Sequence, residues 1–340
     1  MEKKVDLKRI VMEVFGGCNY TCQMCPQTSP GRGKSFTRKM PLKEFERILD
    51  EIVPKHGTPQ INLEGSGEPT MAKDLPEYIK AVKKRNLKCF MYCNGARLNG
   101  QFMKDVVDAG IDFIRISVIG YNQELYKKWM NVDNFHLILN NLKELKAYVK
   151  SSNAKTQVST YHLITDNNNI NNEIKFYQDN VINVVNSIGY IWKMHNWSGN
   201  HDNINPREKT KRRSCGRPFA PELTVRAGGS PGRIGSIVPC CQTLGPPNEE
   251  KSILGHLDKN SFEEIYFGKP YEELRKAHEE KNFDKIEYCK NCDFLYDDPE
   301  AVVWTNDKDH KLYNMLGTGE DFILTKYNKD NKDNKDNTVK

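Results

Sequence analysis

Ten cysteines fall in separated groups along this 340-residue chain. Cys18, Cys22 and Cys25 form a tight triplet, Cys89 and Cys93 stand alone, and Cys215, Cys240, Cys241, Cys289 and Cys292 follow far downstream. Soft thiolates are ligands of iron–sulfur clusters, which usually take four cysteines. Only three are local in the triplet, so a cluster there leaves one iron open for a substrate or cofactor. A zinc site completed from afar, or three unrelated thiols, are the rival readings. In a reducing compartment metal ligation is a better expectation than disulfides. Cys89 and Cys93 are four apart on one strand and share a face. Cys89 reads as a small core residue, and Cys93, at the strand end, as a pocket-lining one.

The elements that must position these residues alternate. Residues 10–15 (IVMEVF) form a short apolar run ending in Gly16 and Gly17, which reads as a buried strand and turn. Further strand-like runs lie at 60–64, 88–92, 112–118, 156–163 and 182–191. Helical periodicity lies between them at 41–53, 75–85, 101–109, 134–150 and 170–179. In the first helix Leu42, Phe45, Ile48, Leu49, Ile52 and Val53 share a face. Phe135, Ile138, Leu142, Leu145 and Val149 do so in the clearest one. Six strand–helix units predict a parallel sheet with right-handed crossovers, an open partial (β/α)6 barrel whose chemistry belongs at the C-terminal strand ends. From about residue 200 the texture turns polar and loop-rich, as in a smaller domain where a metal replaces a large core. The expected division is 1–204 for the barrel, 205–324 for the second domain and 325–340 for a disordered tail carrying NKDNKDNKDN.

Composition excludes several classes. Hydrophobic residues are 37% and charged residues 28%, which marks a folded protein rather than a disordered one. No run approaches the roughly 20 apolar residues that cross a bilayer, and the N-terminus lacks a signal-peptide pattern. Neither a membrane nor secretion is expected, and the expected compartment is the cytoplasm. The net charge of +6 is spread thinly, without the dense basic stripe that nucleic acid demands.

CNYTCQMCP after a first strand resembles the cluster motif of the radical S-adenosylmethionine (SAM) enzymes. The resemblance implies a [4Fe-4S] cluster on Cys18, Cys22 and Cys25, with SAM chelating the open iron and yielding a 5′-deoxyadenosyl radical. Ser66-Gly67-Glu68-Pro69 resembles the family's GGEP, which holds the SAM ammonium; serine replaces the first glycine. Asn94-Gly95 stands where the family often has TNG, with Cys93 in place of threonine. Ser117 matches a serine near the SAM ribose or carboxylate, and Met24 stands before the third cysteine where the family often has an aromatic residue, its thioether expected to pack near adenine. Taken singly, GSGEP and Asn-Gly are ordinary turns and Ser117 an ordinary strand hydroxyl.

CGRPF, GSIVPCC and YCKNC resemble the auxiliary-cluster extension called SPASM, or its shortened twitch form. Gly235 to Cys240 matches Gly-x-x-x-x-Cys and Cys289-x-x-Cys292 the CxxC. The resemblance implies one auxiliary [4Fe-4S] cluster on Cys215, Cys240, Cys289 and Cys292, and two clusters with SAM in all. A structural zinc site made by the same four thiolates is the rival.

Cys241 is then spare: a thiol able to return a hydrogen atom to a substrate radical, or simply a small buried residue. Lys193 and His195, at the end of the sixth strand, are candidates to move a proton or bind a hydroxyl or phosphate; capping the barrel is the alternative. Arg32, Lys34 and Arg38 are candidates for an anionic group, a solvated face being the alternative. An auxiliary cluster suits oxidation of a carbinol carbon, and a thiol suits its epimerisation. Only seventeen residues precede Cys18, too few for a leader-peptide recognition domain. A small polar substrate such as a sugar or aminocyclitol is therefore expected, with a flavodoxin- or ferredoxin-like reductant. A ribosomal peptide maturase and a non-catalytic metal-binding scaffold are the alternatives.

Overall fold

The computed structural model describes residues 3–26, 38–200, 211–228, 233–243, 248–296 and 302–307. The expected 204/205 boundary, the 325–340 tail, Arg32 and Lys34 lie outside the described residues.

Six parallel strands form the expected partial barrel: β1 (Arg9–Met12), β2 (Gln60–Leu63), β3 (Cys89–Cys93), β4 (Phe113–Ser117), β5 (Gln157–Ile164) and β6 (Ile188–Lys193). They neighbour one another in chain order, as right-handed crossovers dictate. The sheet does not stop there. β7 (Glu222–Arg226) pairs parallel with β1, and β8 (Ser236–Val238) and β9 (Gly255–His256) continue it antiparallel. β10 (Val302–Thr305) closes the other edge antiparallel to β6. Barrel and cysteine-rich region are thus one sheet of ten strands.

The helices lie on the outside. α1 (Leu42–His56) buries Phe45, Ile48, Leu49 and Ile52 against the sheet, the face its periodicity predicts. α2 (Leu75–Lys83), α3 (Gly100–Asp108) and α5 (Phe135–Ser151) follow the same pattern. α4 (Gln123–Met130) is absent from the helices that periodicity predicts. It is capped by Asn122, whose side chain accepts from the Leu125 N–H, and it buries Tyr126, Trp129 and Met130 at helical spacing. α6 (Ile170–Tyr177) runs through a π-helical turn, Gln178–Ile182, into the single turn α7 (Asn183–Val185). This corrects the sixth strand, which starts at Ile188 rather than 182. Val181, Ile182 and Val185 are β-branched, but their spacing is helical and they pack as a helix face. Downstream come α8 (Asn248–Lys251), α9 (Phe262–Tyr266), which Ser261 and Glu264 start with a capping box, and α10 (Lys269–Glu279). No helix among the described residues is long and apolar enough to cross a membrane.

The barrel interior is unusually polar. Arg115 on β4 is buried, donating to Ser159 Oγ (3.1 Å) and Tyr92 Oη (2.9 Å), with its guanidinium 3.5 Å from the Tyr190 ring centre. Arg9 on β1 pairs with Glu222 on β7 beside it.

Candidate active site

The C-terminal strand ends surround a cavity of about 270 Å³. Cys18, Cys22 and Cys25 line one part of it, on the loop after β1. That loop is held by unusually close backbone contacts. A Cβ on Gly67 would lie 2.0 Å from the Phe15 carbonyl oxygen and 2.5 Å from that of Gly17. The Glu68 N–H donates to the Gly17 carbonyl at 2.8 Å. Gly67 is therefore the residue that lets the two loops touch.

Glu68 and Asn94 line the cavity, but protein partners engage their polar atoms. Glu68 accepts from the Thr70 N–H and Oγ–H through one oxygen and from the Asn94 N–H (2.7 Å) through the other. The Asn94 amide donates to Asn19 Oδ1 at 2.8 Å, and Cys18 Sγ lies 3.9 Å from it. These two residues brace the triplet loop, a role the spacing alone did not indicate. Ser66 differs more sharply from expectation. It is absent from the cavity wall, and its hydroxyl and N–H both donate to the buried Glu13 carboxylate. Serine in place of glycine thus joins the loop to β1 rather than facing a ligand. Met24, Ser117 and Cys93 line the cavity, while Cys89 is core. Arg38 packs over Gly228, away from that wall.

Burial, reinforced by neighbouring Glu68 and Cys25, pushes the Cys18 thiol up to about 12. Burial and the other two cysteines raise Cys22 as well. Among the described residues no three His, Cys, Asp or Glu side chains close around a single ion. The thiols instead ring a cavity, an arrangement with room for a multi-atom cluster.

Cys215, Cys240, Cys289 and Cys292 line a second, smaller cavity between β8, α10 and the segment after it. Burial raises all four, and each is raised further by others of the group or by Cys241. Cys241 does not line this cavity. It lines the large one, half-buried, with Arg217 Nη1 3.4 Å and Gln242 Nε2 3.7 Å from its sulfur. Adjacent residues of Pro239-Cys240-Cys241 therefore serve different cavities. Arg217, Gln242 and Phe294 line both.

The segment after β6 joins the two sites. Trp197 Nε1 donates to the Met24 carbonyl (2.7 Å) in the triplet loop. Asn196 exchanges hydrogen bonds with Asp293, just beyond Cys292. Trp197 and Ser198 hold left-handed backbone (φ 48° and 59°), a cost that surrounding contacts must offset. Lys193 and His195 both line the large cavity, and the His195 ring packs against Trp197 and Phe294.

Sequence reasoning missed Glu64, Tyr92, Tyr161 and Arg217, all in the large cavity wall. The rule that chemistry sits at strand ends points to Glu64, one residue past β2. Burial raises the Glu64 carboxyl, opposed by Asn62, Arg9 and Arg115. Nothing local marks Tyr92 or Arg217.

A partial barrel with a thiol triplet after β1 and a second cysteine group beyond it is the arrangement expected of an iron–sulfur enzyme that cleaves SAM. Comparison with known proteins makes this specific. The Radical SAM superfamily model matches residues 12–171, and an iron-sulfur cluster-binding domain, SPASM, matches 233–293. The chain thus carries a Radical SAM domain followed by a SPASM domain. These domains imply two iron–sulfur clusters and SAM as cofactors. A probable GTP 3′,8-cyclase of Thermococcus kodakarensis is 31% identical over 39% of this chain and 41% of its own length. An AdoMet-dependent heme synthase of Oleidesulfovibrio alaskensis is 28% identical over 36% of this chain and 31% of its own. The chain thus spans less than half the length of these curated relatives. BtrN, solved with AdoMet and 2-DOIA, shares the fold with a TM-score of 0.56 at 19% identity, covering 86% of this chain and 94% of that one. Streptococcus suis SuiB, solved with its precursor peptide, does so at 0.58 and 13% identity, covering 85% and 70%.

Proposed function

We propose that this radical SAM enzyme epimerises a carbinol carbon of a small polar substrate. The observation that carries the reading is Cys241, whose sulfur lines the large cavity while the other four downstream cysteines line the small one. The proposed ligands are Cys18, Cys22 and Cys25 for the first cluster and Cys215, Cys240, Cys289 and Cys292 for the auxiliary one. A reduced cluster held there with SAM would supply a 5′-deoxyadenosyl radical able to take the hydrogen atom from the substrate C–H. The Cys241 S–H returns a hydrogen atom to the opposite face of the carbon, leaving a sulfur-centred radical on Cys241. One electron and one solvent proton restore the thiol, so each turnover consumes two electrons from a flavodoxin- or ferredoxin-like donor. In this reading Lys193 and His195, which line the same cavity, bind the substrate's oxygens.

Dehydrogenation is the second reading, supported by the wall of Arg217, Gln242 and Phe294 that the two cavities share. There the substrate radical loses an electron and a proton to become a carbonyl, and one electron is returned. The test is anaerobic turnover of a panel of sugars and aminocyclitols with SAM in heavy water. Epimerisation predicts one deuterium at a non-exchanging carbon, lost in Cys241→Ala while SAM cleavage persists. A product two mass units lighter, formed equally by the variant, would establish dehydrogenation instead.

A further inference from the structure

The wall of the large cavity holds a second carboxylate besides Glu68, together with aromatic side chains. Glu64 stands at the end of β2 and lines the large cavity, partly exposed to it. Its Oε1 accepts from Asn62 Nδ2 at 3.1 Å, and Asn62 is itself held by Gln60 Nε2 at 2.8 Å. Its Oε2 has no hydrogen-bond partner among the described residues. The nearby cations make their direct contacts with other groups, Arg9 with Glu222 and Arg115 with Tyr92, Ser159 and the Tyr190 ring, and act on Glu64 through space. Tyr92 and Tyr161 meet edge to face at 5.9 Å, and Tyr161 and Trp192 at 6.0 Å, all three in the same wall.

A partly exposed carboxylate with an uncommitted oxygen, beside Tyr92 in the same wall, is the chemistry that recognises a cation. The positive residues of the cavity face other demands. Arg217 lies on Cys241 at the auxiliary end, and Lys193 rises from β6, four strands away from β2. We propose that Glu64 binds a protonated amine of the substrate, which makes the substrate class an amine-bearing polyol or amino sugar. This rests on the reading that the large cavity takes the substrate. An ammonium there offsets the cost of burying the carboxylate.

The test is binding, measured by saturation-transfer NMR on the anaerobically reconstituted holoenzyme with SAM. The probes are glucosamine, glucose, N-acetylglucosamine and glucuronate. Glucosamine should bind about tenfold or more tightly than glucose and N-acetylglucosamine, the gain of one charge-assisted hydrogen bond. Glu64→Gln should bring glucosamine within about twofold of glucose, and Glu64→Asp should keep part of the preference. Iron content and SAM cleavage of each variant show that the fold and the cofactor sites persist. Absence of glucosamine binding, a preference for glucuronate, or discrimination unchanged in Glu64→Gln overturns the proposal. With SAM cleavage intact these outcomes concern Glu64 alone, whereas loss of SAM cleavage in the parent protein would remove the enzymatic reading itself.

Discussion

At the scale of single residues, Gly67 illustrates how a motif glycine acts through space rather than through a ligand. Any side chain there meets the carbonyls of Phe15 and Gly17. Gly67→Ala must therefore push the triplet loop away from the Glu68–Asn94 brace. Reconstituted protein should fall from about eight irons per chain to about four, with the auxiliary cluster retained. Iron quantification with electron paramagnetic resonance checks this, and eight irons in the variant would show that the close approach is dispensable. Glu68 is braced in the same place, its carboxylate accepting from residues 70 and 94 while it lines the large cavity.

At the scale of elements, the buried pair of His162 on β5 and Glu173 on α6 ties helix to strand. His162 Nε2 lies 2.9 Å from Glu173 Oε1, and its Nδ1 accepts from the Gly120 N–H at 3.1 Å. Nδ1 also lies 3.3 Å from the Val118 carbonyl, so both ring nitrogens have protein partners. Burial alone would raise Glu173, but hydrogen bonds from His162 and Thr165 hold it below its ordinary value. A depressed carboxylate stabilises the fold above its unfolded pKa, and that contribution fades as the pH falls through the folded value. Glu173→Ala leaves His162 without its acceptor and should cost roughly 3–5 kcal/mol near neutral pH. Denaturant titration at neutral pH and near pH 3 checks this, and the difference between parent and variant should shrink in acid. A constant difference would mean that the carboxylate's charge contributes nothing.

At the scale of the whole molecule, the two cysteine groups are mechanically linked. Trp197 holds the triplet loop and Asn196 holds Asp293 beside Cys292. The downstream region has little core of its own near Phe294, which packs with Trp192 and Cys292. Replacing Cys289 and Cys292 together by alanine should remove about four irons and lower the Tm by roughly 5 °C or more. Proteolysis should then open residues 211–296 first, and SAM affinity should weaken through the shared segment. Zinc in the parent protein, or an unaltered Tm in the double variant, would contradict an iron cluster that holds this region together.

The sequence by itself determined the barrel, because a parallel strand and its covering helix each carry a periodicity that a few residues reveal. It also separated the cysteines into two groups, because thiol spacing is local. It misread 182–187 as strand, because β-branched residues at helical spacing satisfy both patterns until packing chooses. It missed α4, whose apolar face spans just two turns. Three matters were left to the tertiary structure. The first was that β7 pairs with β1 and makes one sheet of two domains. The second was that Cys240 and Cys241 face different cavities. The third was that Glu64, Tyr92 and Arg217 meet in one wall from β2, β3 and the segment before β7. Each depends on contacts between residues far apart in the chain, and periodicity carries no record of which strand ends meet.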